Sequence, residues 1–409
     1  MRHDLFVIGV GPGAPEQLTL AARKTIDSAA FVVAAPRHRH LAPKHACVIE
    51  LGKFEETFEL LDVALDTGSA AVLVSGDTGV FSLLPLLKKR FSNDKICVIP
   101  GISSLQSLSA SCLQTWIDAV IISGHGRMLT EAKLLDTADQ NAKTIFFCGP
   151  DWKPERVCQT LADAGMNNLH LTVGERLSYE DEQISCGTPQ ELAVKNYDSL
   201  SLVLIENPKP WQPPHARPRD DDFIRADIPM TRETVRSAIL DALRLSPNSV
   251  VWDLGAGTGS VTVAAALECP NGSVFAVEKN HEAVKLIRAN CAKFHRHNVT
   301  VIAGDNQAAL PSLPGPTHVF IGGSGAELPH LLEQIAALGS GIHVVLSAVA
   351  MKTHAAAYEV MSGSHFSDFD AVQVAVSRLK KVGSTSIMAA QNPVTVFSAI
   401  TSSKEGGSS

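Results

Sequence analysis

The chain has 409 residues, a formal net charge of −7 and an isoelectric point near 6.1. Its 45% hydrophobic and 19% charged residues are typical of a globular protein with a sizeable core, and at roughly 100–200 residues per domain the length favours two or three domains. The acidic balance argues against a nucleic-acid partner, which usually requires a basic face, but it does not exclude an anionic small substrate.

Short apolar runs, each followed by a turn and a helical pattern, recur along the first half of the chain. Continuous apolar strands that alternate with helices predict an α/β architecture with sheets covered on both faces. The strands expected in this half are Leu5–Val10, Phe31–Ala34, Ala71–Val74, Ile96–Ile99, Ala119–Ile122, Lys143–Cys148, Leu169–Val173 and Leu200–Ile205.

Glycine-containing loops follow three of these strands: GVGPG at 9–13, VSGDTGVFS at 74–82 and IPGISS at 99–104. Ligands bind at the carboxyl ends of strands in open α/β sheets. Glycine and proline form rigid turns there, against which a flat or extended ligand can lie.

Together and in this order, the loops resemble the tetrapyrrole methylase family over about residues 1 to 205. Members of that family have two α/β lobes and hold S-adenosylmethionine in the cleft between them. The resemblance implies that the tetrapyrrole lies near Gly11, Pro12 and Gly13. It implies that the methyl donor is lined by Gly76, Asp77, Thr78, Val80, Phe81, Ser103 and Ser104.

Two further segments, SGHGR at 123–127 and GERLSYEDEQI at 174–184, resemble the subgroup that methylates precorrin-6-type substrates. This implies substrate contacts for His125 and Arg127. His125 as an ordinary loop histidine and Arg127 as a surface arginine remain alternatives. The basic run PRHRH at 36–40 is interpreted as a solvated loop rather than a substrate clamp.

Regular structure should stop at residues 207–228, where proline is dense and an acidic triplet occurs at 220–222. This predicts a linker between a first domain, 1–206, and a second, 229–401, with a disordered tail at 402–409. In the second domain, Thr231 is a good N-cap for a helix from about Arg232 to Leu243. The expected strands are Ser249–Leu254, Ser273–Val277, Val299–Ala303, His318–Ile321, His343–Ala348, Asp370–Val376 and Val394–Thr401.

The sharpest local signal is VVWDLGAGTGS at 250–260, a buried strand that leads into a glycine turn and a helix. A lone GxGxG is weak evidence, because dinucleotide-binding folds share it. However, Glu278 ends the next strand, at the place where a carboxylate accepts hydrogen bonds from ribose hydroxyls. Asp305 ends the third strand and could receive an adenine amino group. Alternatively, both acids simply cap helices.

This order of motifs resembles the class I methyltransferases. The resemblance implies a second methyl-donor site formed by Asp253, Gly255, Gly257, Thr258, Gly259, Glu278 and Asp305. Residues 225–400, including FIGGSG at 320–325, resemble the precorrin-6B decarboxylating methylase domain, which implies substrate contacts for Thr231, Arg232, Gly322 and Gly323. Two positions depart from that family's usual pattern: Ser347 replaces asparagine and Lys352 replaces glutamate. Arg232 and Arg236 are candidates for substrate carboxylates, or exposed helix charges.

A fusion of these domains resembles the bifunctional, decarboxylating precorrin methyltransferases of cobalamin biosynthesis. The implied reaction methylates precorrin-6B (precorrin-6Y) at carbon 5 in the first domain and at carbon 15 in the second. It also decarboxylates the ring C acetate, giving precorrin-8. The bridging carbon of the electron-rich macrocycle attacks the sulfonium methyl, so alignment is the main requirement, and no proton donor or acceptor can be assigned.

We expect S-adenosylmethionine as cofactor, with no metal, PLP or flavin, and a homo-oligomer. No CxxC pair occurs among the eight cysteines, so reduced thiols are expected. The N-terminus lacks the layout of a signal peptide and no apolar run reaches the about 18 residues that span a bilayer. We therefore expect a cytoplasmic protein without a membrane partner.

The alternatives left open are an NAD-dependent oxidoreductase, a fusion in which one domain is a non-catalytic scaffold, and methylation of RNA. The acidic charge disfavours the last of these.

Overall fold

The computed structural model describes residues 4–125, 129–213, 215, 217–323 and 327–402. The chain packs as two compact units, Met1–Pro210 and Trp211–Ser409. Both are α/β, as the sequence predicts. No helix in the described part of the chain is long and apolar enough to cross a membrane.

The first unit begins with a parallel sheet of strand order β3-β2-β4-β1-β5. All five residues of its central strand β4 are buried, which explains the continuous apolar run there. The strands are β1 Leu5–Gly9, β2 Phe31–Ala34, β3 Cys47–Glu50, β4 Ala70–Val74 and β5 Ile96–Ile99. The α-helices are α1 Leu20–Ser28, α2 Phe54–Thr67, α3 Leu84–Arg90 and α4 Ser104–Ser111, and short 3-10 helices occupy Pro15–Gln17, Pro36–Leu41 and Asn93–Lys95.

A second, mixed sheet completes the first unit, with strand order β6-β7-β10-β8-β9. Strand β10 runs antiparallel to both of its neighbours, β7 and β8. The strands are β6 Val120–Ser123, β7 Lys143–Phe147, β8 His170–Glu175, β9 Gln183–Gly187 and β10 Ser201–Glu206. The helices are α5 Glu131–Gln140, α6 Pro154–Asp163 and α7 Pro189–Ala193.

The second unit contains a sheet of order β13-β12-β11-β14-β15-β19-β16, together with a separate β17–β18 hairpin. Strand order reverses between β11 and β14, which opens a crevice at their carboxyl ends. The strands are β11 Val250–Leu254, β12 Ser273–Glu278, β13 Val299–Ala303, β14 His318–Ile321, β15 His343–Ala348, β16 Phe366–Val374, β17 Ser377–Val382, β18 Thr385–Ala390 and β19 Val394–Thr401. The helices are α8 Glu233–Leu243, α9 Ser260–Glu268, α10 His281–Lys293, α11 Asn306–Ala309, α12 Leu328–Ala337 and α13 Met351–Met361.

Helix α8 begins one residue later than the sequence indicates. Arg232 occupies the N-cap position, and no side chain caps the helix there. The prediction that Thr231 is the N-cap is therefore wrong. The Thr231 carbonyl instead accepts a hydrogen bond of 2.8 Å from Arg236, so the residue is held by its backbone.

Arg236 is buried and anchors the proline-rich segment that precedes α8. Its guanidinium donates to the Pro218 carbonyl at 2.7 Å and lies 3.3 Å from the Asp220 carboxylate. It also lies 4.8 Å above the ring of Phe223, itself a buried residue. The expectation that Arg236 is either a pocket-rim residue or an exposed helix charge is wrong, because these partners hold it inside the unit.

Candidate functional site

In the first unit, three glycines bring the loops after β1, β4 and β5 into backbone contact. A Cβ added to Gly101 would lie 2.4 Å from the Gly76 carbonyl oxygen, and one added to Gly9 would lie 2.6 Å from the Gly101 nitrogen. Gly9, Gly76 and Gly101 are here called the glycine cluster. Gly11 joins this cluster, because its N–H donates to the Gly76 carbonyl at 3.3 Å and its carbonyl accepts from Gly76 at 2.8 Å.

Asp77 ties two of these loops together with its side chain. One carboxylate oxygen accepts a hydrogen bond from the Gly79 N–H at 2.7 Å, and the other accepts from the Gly101 N–H at 3.0 Å. Asp77 therefore shapes the loop after β4. Any contact of Asp77 with a methyl donor remains a prediction.

The other residues assigned to this donor site surround the same loops. Ser103 lies against Gly76 and caps α4 in a capping box with Gln106. Thr78 is buried, whereas Phe81 is half exposed and meets Phe147 of the second sheet edge-on at 5.2 Å. Val80 packs into the apolar cluster of that second sheet, and Ser104 is the first residue of α4.

The turn after β8 reaches the loop that carries Gly11, Pro12 and Gly13. The ring of Tyr179 lies so close to Gly13 that an added Cβ would come within 2.3 Å of it. The Ser178 hydroxyl accepts a hydrogen bond of 3.0 Å from the Ala14 N–H. Sequence reasoning did not single out Tyr179, although it lies in the GERLSYEDEQI motif.

His125 follows β6, and its backbone N–H donates to Ser123 at 3.1 Å. Partial burial and the positive charge of Arg37 lower the pKa of the His125 imidazole. Arg127, the other residue expected at the substrate here, lies outside the described residues.

In the second unit, the glycine turn packs against the loop after β14. Gly255 has a φ of +76°, and a Cβ there would lie 2.5 Å from the Gly323 carbonyl oxygen. Gly322 is also in close contact, since a Cβ on it would lie 2.9 Å from the Gly255 carbonyl oxygen. Gly259, also at positive φ, is the N-cap of α9. These contacts place the assigned Gly322 and Gly323 beside the glycine turn.

Asp253 is buried at the end of β11, with 1% of its surface exposed. One carboxylate oxygen accepts a hydrogen bond from the Thr262 hydroxyl, while Oδ1 has no hydrogen-bond partner among the described residues. Burial, reinforced by the negative charge of Glu278, raises the pKa of Asp253 to about 7. The Thr258 hydroxyl is likewise buried and without a partner within this part of the chain.

The two acids that follow β12 and β13 differ in what they contact. Glu278 accepts hydrogen bonds of 2.9 Å from the N–H groups of Gly257 and Asn280, and so joins the glycine turn to the end of β12. Asp305 is exposed and caps α11, accepting from the Gln307 N–H at 2.9 Å. Helix capping accounts for the position of Asp305, and its contact with adenine stays a prediction.

A cavity of about 390 Å³ opens on the β14 side of the glycine turn. Gly255, Gly257 and Thr258 form one wall, and Thr231, Arg232 and Gly322 lie around it. Apolar side chains such as Phe320, Val349 and Val374 line the rest, and Gln391 and Asn392 add amide groups from the chain before β19. Ser347 lines this cavity, whereas Lys352 is exposed on α13.

Arg232 is the charged side chain among the described residues that line this cavity. An apolar space with one cation and several hydroxyl and amide groups suits a flat organic molecule that carries carboxylates. No group of three or more His, Cys, Asp or Glu among the described residues is placed to hold a metal ion.

Comparisons with known proteins divide the chain in the same way. The tetrapyrrole (corrin/porphyrin) methylases match residues 4–193, and the precorrin methyltransferase domain matches residues 222–401. A probable cobalt-precorrin-6B C(15)-methyltransferase (decarboxylating) of Pyrobaculum calidifontis is 37% identical over 192 residues, which are 46% of this chain and 97% of that protein. A crystal structure named precorrin-6y C5,15-methyltransferase, from Geobacter metallireducens, is 35% identical, covers 45% of this chain and 96% of its own, and has a TM-score of 0.42.

One relative extends across both units. A precorrin-6Y C(5,15)-methyltransferase [decarboxylating] of a Sinorhizobium species is 30% identical over 356 residues, which are 84% of each chain. This confirms the resemblance found from the motifs: the chain belongs to the family of decarboxylating precorrin-6Y C(5,15)-methyltransferases.

Proposed function

We propose that each unit binds its own S-adenosylmethionine, and that the chain thereby transfers two methyl groups to precorrin-6B (precorrin-6Y) and removes one carboxyl group. Residues 1–206 methylate carbon 5. Residues 229–401 methylate carbon 15 and decarboxylate the ring C acetate, which gives precorrin-8 in cobalamin biosynthesis. The observation that carries the proposal is the cavity of about 390 Å³ that opens directly onto the glycine turn of the second unit.

The second unit contains two buried polar groups, a hydroxyl and a carboxyl oxygen, that suit a polar nucleoside ligand. The Thr258 hydroxyl and Asp253 Oδ1 are buried without a hydrogen-bond partner among the described residues, a costly arrangement that a bound polar group would relieve. The glycine turn lets the backbone approach such a ligand closely. When bound, S-adenosylmethionine supplies an electrophilic methyl group on a sulfonium.

The cavity residues have the task of orienting the acceptor. Arg232 is half exposed, lies 3.8 Å from the Asp220 carboxylate, and can also pair with a substrate carboxylate at the cavity rim. Phe320, Val349 and Val374 exclude water and provide apolar contact for the macrocycle. Alignment of the reacting carbon with the methyl group accounts for much of the rate in such a transfer.

In the first unit, the glycine cluster supports the donor site proposed from the sequence. Gly76, Asp77, Ser103 and Ser104 lie together at the carboxyl ends of β4 and β5. Gly11 is bonded to the same loop, which brings the proposed tetrapyrrole residues next to the proposed donor residues.

A homo-oligomer is part of this proposal. The β17–β18 hairpin carries the cross-strand pair Leu379 and Met388, which are 72% and 64% exposed. Apolar side chains so exposed at one place are typical of surfaces that meet another protein. We infer that a second copy of the chain covers this hairpin.

Calorimetric titration of the full-length chain with S-adenosylhomocysteine tests the proposal. Two sites per chain, and no competition by NAD, are expected. Incubation with precorrin-6B and methyl-labelled S-adenosylmethionine should then give a product with two labelled methyl groups and one carboxyl group fewer. One site per chain and one transferred methyl group would mean that the other unit is a scaffold. NAD binding at the glycine turn would instead support an oxidoreductase.

A further inference from the structure

The basic run PRHRH forms a 3-10 helix, Pro36–Leu41, at the carboxyl end of β2. Strand β2 pairs in parallel with β4, and Ser75 follows β4 immediately before Gly76. The carboxyl ends of neighbouring parallel strands meet at one edge of the sheet. This run therefore lies beside the loop that carries the proposed donor residues.

Arg37, His38 and Ser75 form a hydrogen-bonded triangle at this edge. Arg37 donates from Nη2 to the Ser75 hydroxyl at 2.6 Å and from Nε to His38 Nε2 at 3.2 Å. His38 Nε2 lies 2.7 Å from the same hydroxyl. Because Nε2 accepts from the guanidinium, the imidazole proton belongs on Nδ1 and the ring is neutral.

His38 is a rigid support for the arginine. Its side chain is 4% exposed, and burial together with the charge of Arg37 lowers the pKa of its imidazole to about 4. A buried, neutral histidine adds no second charge at this place. It fixes one edge of the guanidinium and leaves Nη1 and the second hydrogen of Nη2 to donate elsewhere.

Arg37 is exposed, and no carboxylate among the described residues pairs with it. The charge of Arg37 acts on His125, in the loop after β6 of the second sheet. An oriented guanidinium that no described carboxylate neutralises, bonded to the start of a proposed donor loop and acting on a histidine assigned to the substrate, is suited to a carboxylate.

We propose that Arg37, oriented by His38 and Ser75, binds a carboxylate arm of the tetrapyrrole and so determines which bridging carbon faces the donor in the first unit. This rests on the proposed function and adds a substrate-positioning residue that the motifs had left as a solvated loop. Arginine suits the role better than lysine, because its planar fork can bond the Ser75–His38 support and a carboxylate at once.

The test compares full-length Arg37→Gln, Arg37→Lys and Arg39→Gln with the wild type, using precorrin-6B and S-adenosylmethionine that carries a ¹³C-labelled methyl group. NMR then reports methylation at carbons 5 and 15 separately. Arg39→Gln is the matched control, since it removes an exposed positive charge from the same short helix. S-adenosylhomocysteine affinity and the melting temperature are measured for each variant.

We expect Arg37→Gln to raise the KM for carbon 5 methylation about tenfold or more, the usual effect of losing a hydrogen bond between charged groups. Its kcat should change less, and carbon 15 methylation and S-adenosylhomocysteine affinity should stay at wild-type values. The KM of Arg37→Lys for carbon 5 methylation should lie between those of the wild type and Arg37→Gln, and the KM of Arg39→Gln should match that of the wild type.

A wild-type KM in Arg37→Gln, with an active wild-type enzyme, would overturn this inference and leave the proposed function standing. Weaker S-adenosylhomocysteine binding in Arg37→Gln would also overturn it, because the arginine would then serve the donor. An inactive wild-type enzyme would instead overturn the proposed function.

Discussion

Glu278 holds Gly257 by a hydrogen bond of 2.9 Å from the backbone N–H of the glycine to the carboxylate, and its other oxygen accepts from Asn280. The end of β12 and the glycine turn after β11 are thus joined through one side chain. The proposed ribose contact would add a further hydrogen bond to the same carboxylate.

Replacement of this carboxylate should therefore weaken one of the two proposed donor sites. Hydrogen bonds to a charged group are worth roughly 1.5–3 kcal/mol, so Glu278→Ala should lower S-adenosylhomocysteine affinity at the second unit about tenfold or more. Calorimetry on the full-length variant should show one site as in the wild type and one weakened. Glu282→Gln, which removes an exposed acid on α10, is the control. Unchanged affinity at both sites would refute this role for Glu278.

Gly255→Ala should damage the second unit, because a Cβ there would lie 2.5 Å from the Gly323 carbonyl oxygen. The residue also has a φ of +76°, which costs a non-glycine residue of order 1–3 kcal/mol. We expect a lower melting temperature and weaker S-adenosylhomocysteine binding in this unit. Gly304→Ala is the matched control, since a Cβ at Gly304 meets nothing within 4 Å. Equal melting temperatures and equal S-adenosylhomocysteine binding in the two variants would contradict the close packing of Gly255 against Gly323.

Asp253 should make stability fall as pH rises through the acidic range. Its pKa in the folded chain, about 7, lies above the ordinary aspartate value of 3.8, so the folded state holds this proton more tightly than the unfolded state. Its contribution to stability is complete below about pH 4 and is lost as pH rises to about 7.

Asp253→Asn, which cannot ionise, should remove this pH dependence. Thermal unfolding of both proteins between pH 4 and pH 8 is the measurement, with the difference between them isolating Asp253 from other carboxyls. The melting temperature of the variant should gain on that of the wild type as the pH increases. Parallel curves would show that Asp253 has an ordinary pKa.

Substitution of Arg236 should affect the stability of the fold, whereas substitution of Arg232 should affect substrate binding. Arg236→Ala removes the buried and closer of the two arginines that pair with Asp220, and breaking a buried ion pair costs roughly 3–5 kcal/mol. Its melting temperature should fall clearly. Arg232→Ala removes only a half-exposed side chain that lies 3.8 Å from Asp220, so its melting temperature should change little while the KM for carbon 15 methylation rises. The opposite pattern would restore Arg236 as a substrate residue.

The proposed self-association through the hairpin predicts that Leu379→Glu dissociates the oligomer. A charge at the centre of an apolar contact is costly to bury. Light scattering after size-exclusion chromatography measures the molar mass. Thr385→Glu, in the outermost cross-strand pair of the hairpin, should associate like the wild type. A wild-type mass for Leu379→Glu would place any interface elsewhere.

Buried strands were predictable from the sequence, because both of their faces are apolar. Phe31–Ala34, His318–Ile321 and His343–Ala348 were predicted with the bounds that the structure has. Strands β3, β9, β17 and β18 were missed. Each lies at a sheet edge or in the separate hairpin, and none of their residues is buried, so no buried apolar pattern distinguishes them.

The site residues also divide into those that the sequence predicts and those that it misses. Glycine turns could be located because their backbone requirements appear directly in the sequence. The contact of Arg37 with Ser75 depends on β2 and β4 being neighbours, and the partners of Arg236 come from a segment that its prolines marked as a linker. Such contacts join residues that are distant in the sequence, so a local sequence pattern does not reveal them.

The glycine cluster has a mechanical consequence for catalysis in the first unit. Where backbone meets backbone without side chains between, the loops after β1, β4 and β5 cannot shift independently. They form one rigid backbone surface. The second sheet and the turn after β8 pack against this surface, where Phe147 meets Phe81 and Tyr179 abuts Gly13. A ligand that rests on these loops would therefore meet a backbone surface of fixed shape.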